Sequence, residues 1–137
     1  MNIRILVLLL SFFMVCCHGN QSHVIETKEF LSINGRDTTS VGLHISEKQF
    51  FGRYRVSRPG GYLVEGEISG EVEGDSLLGS LYYTPFKWKD KKRKAFALLK
   101  SGDDYIQGTG SEYIYMNIPY FKKETLSFNG IVFRPNK

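Results

Sequence analysis

The chain has two cysteines, Cys16 and Cys17, and none after them. A structural disulfide, a thiolate-held zinc and a thiol nucleophile are therefore excluded from everything downstream. Histidine is nearly as scarce. Past residue 26 only His44 remains, and no Gly-x-Ser-x-Gly accompanies it, so a hydrolytic triad has no raw material. There are four prolines. The longest apolar run, Ile5 to Val15, is broken only by Ser11. It is too short to cross a hydrocarbon core, which needs about 20 residues. Charge of one sign is also in short supply. The net value is +4, or +3 without Arg4, too mild to imply a nucleic-acid partner. Neither βαβ spacing nor a long amphipathic helix can be found.

What the chain does have is β-forming material: ten Phe and eight Tyr beside 14 Gly, the composition of short twisted strands joined by tight turns. The length suits one domain. From residue 30 the dominant period is two. Val41, Leu43 and Ile45 alternate with Gly42, His44 and Ser46; Phe50, Gly52, Tyr54 and Val56 alternate with Phe51, Arg53 and Arg55. The clearest run sets Tyr62, Val64, Gly66, Ile68, Gly70 and Val72 against Leu63, Glu65, Glu67, Ser69, Glu71 and Glu73. Such alternation describes strands with one face in a core and one in water.

Turn sequences separate these runs. Asn34-Gly35 and Asn129-Gly130 suit two-residue hairpins, and further turns fall at 57–61, 73–75 and 101–104. The strands predicted between them are 30–34, 40–47, 49–57, 62–72, 76–84, 93–100, 104–109, 124–128 and 131–135. Residues 111–121 are open between a short helix and irregular chain, since Ser111 can cap a helix and Pro119 stops one. The expected core is Val41, Leu43, Ile45, Tyr54, Val56, Val64, Ile68, Val72, Leu77, Leu81, Phe96 and Leu98. The expected architecture is all-β: a small antiparallel meander closed into a lipocalin-like barrel of about eight or nine strands, which removes exposed edges. A two-sheet sandwich is the alternative.

The first residues form a separate unit. Arg4, the short apolar run and a small-residue exit read as a signal peptide over residues 1–16. Met14-Val15-Cys16-Cys17 resembles the lipobox of bacterial lipoproteins, in which a small residue precedes the lipidated cysteine. Cys17 follows the small Cys16, whereas Cys16 follows the bulkier Val15, so lipidation is expected at Cys17, with Cys16 as the alternative. The resemblance implies a diacylglyceryl thioether and an N-acyl chain, and hence a membrane anchor. Residues 17–29 are polar and read as a tether to a barrel domain at 30–137. His18, His23 and Glu26 lie in that tether, where three donors on a flexible segment without supporting contacts make a poor site. No metal and no cofactor is expected.

The segments Gly66 to Gly79, Leu81-Tyr82-Tyr83-Thr84, Arg93 to Leu99 and Tyr105 to Gly110 together resemble a group of small uncharacterised lipoproteins of Bacteroidetes-type bacteria. The shared pattern is a Gly-spaced strand, a Gly-Asp turn, an aromatic strand, a basic-apolar strand and a Gly-x-Gly exit, covering about residues 40–110. The resemblance implies an address and a fold, not an activity. Many of that group carry an acidic, serine-rich loop after the Tyr-Tyr-Thr strand; here Pro85 to Lys92 stands instead. Runs of acids after the lipidated cysteine resemble surface-export signals in that group. None follows Cys17, which implies the periplasmic face of the outer membrane.

Two constellations remain as candidate sites. Lys87, Trp88, Lys89, Lys91, Lys92, Arg93 and Lys94 crowd six cations around one indole and one acid, Asp90. They form either an anion- or partner-binding loop or a solvated hairpin end whose lysines discourage edge pairing. Tyr54, Tyr62, Tyr83 and Tyr105 either line a ligand cavity or fill a core. Glu65, Glu67, Glu71 and Glu73 share one solvated face and are expected to pair with Arg53 and Arg55 rather than to act as acid and base. The expectation is a non-enzymatic binding or interaction module in the envelope, meeting an envelope protein or an anionic surface. The alternative is a lipocalin-like carrier of a small apolar ligand. Oligomeric state is not legible.

Overall fold

A computed structural model of the protein describes residues 27–137. The leader, Cys16, Cys17, His18, His23 and Glu26 lie outside the described residues. Ten strands follow: β1 Lys28–Asn34, β2 Asp37–Ile45, β3 Gln49–Arg58, β4 Tyr62–Glu73, β5 Ser76–Tyr83, β6 Lys92–Ser101, β7 Asp104–Gln107, β8 Glu112–Tyr115, β9 Ile118–Phe121 and β10 Val132–Pro135. Eight of them close a barrel in the order β1-β10-β7-β6-β5-β4-β3-β2, every pairing antiparallel. β8 and β9 pair with each other as a separate hairpin. The fold is the closed barrel rather than the sandwich.

Three hairpins of the barrel turn in two residues, Gly35-Arg36, Gly74-Asp75 and Gly102-Asp103, between the closing pairs Asn34↔Asp37, Glu73↔Ser76 and Ser101↔Asp104. Each sets glycine at the first loop position with φ of 60–63°, which a side chain resists and the right-handed twist of the strands demands. The first of these turns therefore sits one residue later than Asn34-Gly35.

The interior is filled. Phe50, Phe96, Phe133, Leu43, Ile68, Leu81, Leu98 and Val41 are all fully buried. Tyr54 meets Phe96 edge-on at 5.8 Å, and Tyr105 meets Phe30 edge-on at 4.9 Å. The inward alternation therefore holds through the middle of each strand. It fails at the rim. Ile45 is exposed and Val72 only half-buried, because both stand at strand ends that no described residue caps. The outward face of β3 and β4 is charged. Arg53 stands opposite Glu67 and Arg55 opposite Glu65, with Arg55 Nε 3.6 Å from Glu65 Oε1. Both partners are well exposed, so the pair contributes at most about 1 kcal/mol. A charged outer wall around an apolar interior is the inverse of a lipid-facing barrel.

β6 departs from alternation. Phe96 and Leu98 point inward, yet Ala95 and Ala97 are buried too. Their outer side is covered by the chain between β7 and β10. Leu126 and Phe128 sit against Gly108 and Ala97, and β9 lies along β6 and touches β5. Small residues on the wall, Ser80, Ala95 and Ala97, permit that close approach. Residues 111–121 are neither helix nor irregular chain but this hairpin. Residues 124–128, expected as a strand, form instead a 3-10 turn at Lys123–Thr125 and one isolated bridge, Thr109↔Ser127. Asn129-Gly130 is no hairpin turn. Gly130 tucks against Gln107, whose C=O accepts its N–H at 3.0 Å.

Antiparallel pairing sorts the connections onto two ends. At one end lie the start of β1, the finish of β10 and the turns after β2, β4 and β6. At the other lie the turns after β1 and β3 and the long β5–β6 loop.

Candidate functional site

The β5–β6 loop, residues 84–91, is the longest turn within the run of barrel strands from β1 to β7. A turn organises it: the Trp88 N–H donates to the Pro85 C=O at 3.0 Å. Lys87 occupies the turn's third position with φ 64°, where glycine is the usual occupant. The turn leaves the Trp88 ring 55% exposed.

The six cations do not form one crowded tip. Lys87, Lys89 and Lys91 belong to the loop; Lys92, Arg93 and Lys94 are the first residues of β6 and alternate between faces. Five of them, and one cation from the end of β3, lie over aromatic rings. Lys92 Nζ is 4.0 Å from the Trp88 centroid, and Lys94 Nζ is 5.1 Å from Tyr83. On the outer wall Lys91 and Arg93 approach Tyr82 at 5.0 and 5.1 Å. Lys87 lies 5.4 Å from Phe86. Phe86 packs on Tyr62 at 4.5 Å, and Arg58 covers Tyr62 at 4.8 Å. Among the described residues none of the six cations forms a salt bridge. A ring attracts a cation by its quadrupole without cancelling its charge. The loop is thus both ordered by its own aromatics and left electrically positive.

Tyr82, Phe86, Arg58 and Tyr62 therefore belong to this site as much as Trp88 does. Charge density in the sequence points to the lysines. It does not point to Phe86 or Arg58, which join them only through the fold.

The four tyrosines do not converge. Tyr54 and Tyr105 are core residues, while Tyr62 and Tyr83 sit half-buried at the basic end. At the opposite end an open recess of about 360 Å³ is lined by Phe30, Leu43, Ile45, Val72, Leu77 and Tyr105, with Lys28, Asp75 and Lys100 at its edge. Of the four tyrosines only Tyr105 reaches it. Burial pushes the Tyr54 phenol up, opposed by Arg58, and burial with the Asp75 carboxylate pushes Tyr105 up. His44 stacks on Phe51 at 4.7 Å and its Nε2 meets Thr27 Oγ1 at 2.9 Å. Among the described residues no three His, Cys, Asp or Glu side chains gather as a metal site.

The β8–β9 hairpin was not legible as a surface feature. Its residues Tyr113, Ile114, Tyr115, Met116 and Ile118 are all exposed. From Tyr113 to Phe121 the sequence holds no charge, and that uncharged run was the available signal. No protein-family model, no curated protein and no solved structure matches the chain.

Proposed function

We propose that this chain is a lipid-anchored envelope protein whose barrel acts as a non-enzymatic binding module, with its basic aromatic end as the contact for an anionic surface. The observation that carries the reading is the set of six cations that have no carboxylate partner among the described residues, five of them seated on rings, around an exposed Trp88. Held on rings, the cations lose less freedom on binding than solvated lysines would. The leader, Cys17 and the resemblance to small Bacteroidetes-type lipoproteins support the address, at the periplasmic face of the outer membrane. The filled interior supports a surface role over an internal one.

The test uses the chain from His18 onward. Every core residue lies between Phe30 and Phe133, so that chain carries the whole fold. Its binding to anionic vesicles and to a soluble acidic polysaccharide is measured at low and physiological salt. Binding to at least one of them falls steeply as the Debye length shortens to about 8 Å. Changing Lys91 and Lys92 to Ser weakens it without moving the melting temperature by more than a few degrees. Absence of salt-dependent binding to either surface overturns the reading.

The recess favours a second reading, a carrier for a small apolar ligand, since its volume reaches the lower range of ligand sites. Leu77→Trp would fill it. Under this reading a fluorescent short-chain fatty acid binds the unchanged chain and not the variant.

A further inference from the structure

We infer that the β8–β9 hairpin is an insertion finger, and that the anionic surface is a lipid bilayer into which its tip is buried. This rests on the reading of the basic end given above. Strand β8 and the tip expose apolar side chains on both faces: Ile114 is 69% exposed and Met116 80%, with Tyr113, Tyr115 and Ile118 exposed beside them, while Pro119, opposite Ile114, is buried where β9 lies on β6. Exposure of this kind in one continuous patch marks a surface that meets something.

The backbone at the tip is arranged to present them. Met116 and Asn117 form a two-residue turn with φ of 48° and 64° between the paired residues Tyr115 and Ile118. Both positions of such a turn favour Asn or Gly. Asn117 conforms. Met116 is held in a conformation that costs about 1 kcal/mol for a side chain, and that side chain touches solvent. Folding alone would be better served by glycine or asparagine.

Shape selects the partner. A protein groove that took β8 and the tip would have to enclose them from both faces. A fluid interface closes around a convex tip without any such slot. The chemistry agrees: Tyr and Trp at the boundary, aliphatic and thioether groups at the extremity, and no charge between Glu112 and Lys122. Position agrees as well. The base of the ribbon rests on Ala97 through Leu126 and Phe128, and Lys123 Nζ is 3.0 Å from Glu73 Oε2 at the far end of β4. From there β9 continues over β6 and β5, where Ala95 and Ser80 are buried. The ribbon thus advances toward the first residues of β6, Lys92 to Lys94, where the cations are. Headgroup phosphates would meet the lysines while acyl chains receive Ile114 and Met116.

The experiment uses the chain from His18 with vesicles of phosphatidylcholine containing three parts in ten phosphatidylglycerol. An indole is placed at the tip by Met116→Trp on a Trp88→Phe chain, and lipids brominated along the acyl chain serve as quencher. Expected is strong quenching and a blue shift, deeper than for Trp88 in the unchanged protein. Changing Ile114 and Met116 together to Ser lowers vesicle affinity at least about tenfold. Salt-dependent binding to the acidic polysaccharide, if the unchanged chain shows it, stays the same. The substituted side chains are exposed, so the melting temperature moves little and confirms folding. An unquenched indole with undiminished vesicle binding of the Ser variant overturns the finger and leaves the basic end standing. No binding to either anionic surface overturns both. A concentration-dependent dimer that the Ser variant abolishes, without tip quenching, overturns the finger and makes this surface a contact between copies.

Discussion

Gly70 stands directly opposite Gly79 in the β4–β5 ladder. The backbones run so close there that a Cβ on Gly70 would lie 2.5 Å from the Gly79 Cα, and a Cβ on Gly79 2.7 Å from the Gly70 Cα. Neither neighbour can retreat, because each is the other's backbone. Gly70→Ala is expected to destabilise the barrel by about 1–3 kcal/mol, the range for forced overpacking. Gly42→Ala is the control: its nearest neighbour is the Thr27 methyl at 3.7 Å, and it should cost well under half as much. Urea unfolding of the two variants measures the difference.

Ile68 and Glu67 are adjacent and point to opposite sides of the wall. Ile68 is 1% exposed while Glu67 is solvated. Ile68→Ala should cost about 2–5 kcal/mol, and Glu67→Ala no more than about 0.5 kcal/mol. Equal losses in denaturant melts would mean a register slipped by one residue.

Tyr54 and Tyr105 make the barrel sensitive to alkali. Burial raises both phenols above their ordinary value. The folded state therefore holds these protons at a pH where the unfolded chain has lost them. Their contribution is complete below the unfolded value of about 10 and is lost as pH rises through the folded values. Stability should be flat on approach to pH 10 and fall above it. Tyr54→Phe or Tyr105→Phe should move the alkaline unfolding midpoint upward, provided the Phe variants are compared with the parent at matched neutral-pH stability.

Tyr120 offers a spectroscopic marker for the finger. A hydrogen bond with Tyr113 leads the causes that push its phenol up to about 12, and the rings lie 3.9 Å apart across the hairpin. Ultraviolet titration should contain a late-ionising, half-buried tyrosine besides Tyr54 and Tyr105, and Tyr113→Phe should return it toward the ordinary range.

Lys87 sets stability against binding. Its φ of 64° favours glycine, so Lys87→Gly should stabilise the fold by up to about 1 kcal/mol. The same change removes a cation worth about 1 kcal/mol near an anionic membrane, or about fivefold in affinity. A variant that melts higher and binds more weakly meets both expectations; one that melts lower contradicts the turn geometry.

Much of the barrel could be read directly because inward and outward residues differ in polarity along β2 to β5. Val41, Leu43, Val64 and Ile68 alternate with polar or charged neighbours, and a period of two survives any error in strand ends. The reading weakened where that contrast vanished. Ala95 and Ala97 gave no sign of a second buried face, since small residues are neutral about what covers them. Pro119, read as the stop of a helix, lies instead in a strand, opposite Ile114 and next to the pair that closes the turn. At such a position the nitrogen points away from the partner strand and no ladder bond is lost. Of the candidate site, the lysines and Trp88 were legible as composition. Their seating on Tyr82, Tyr83 and Phe86 depends on cross-strand neighbours that no local pattern announces.

The barrel is sealed by its last strand. β10 enters between β1 and β7, where Phe30 pairs with Pro135 and the Asn136 N–H donates to the Glu29 C=O at 2.9 Å. The first and last strands of the domain are thus partners. A nascent chain lacks its seam until β10 has been made, and Phe133, at the centre of the packed interior, arrives only with that strand. Until then β1 and β7 are both open edges and the barrel cannot close.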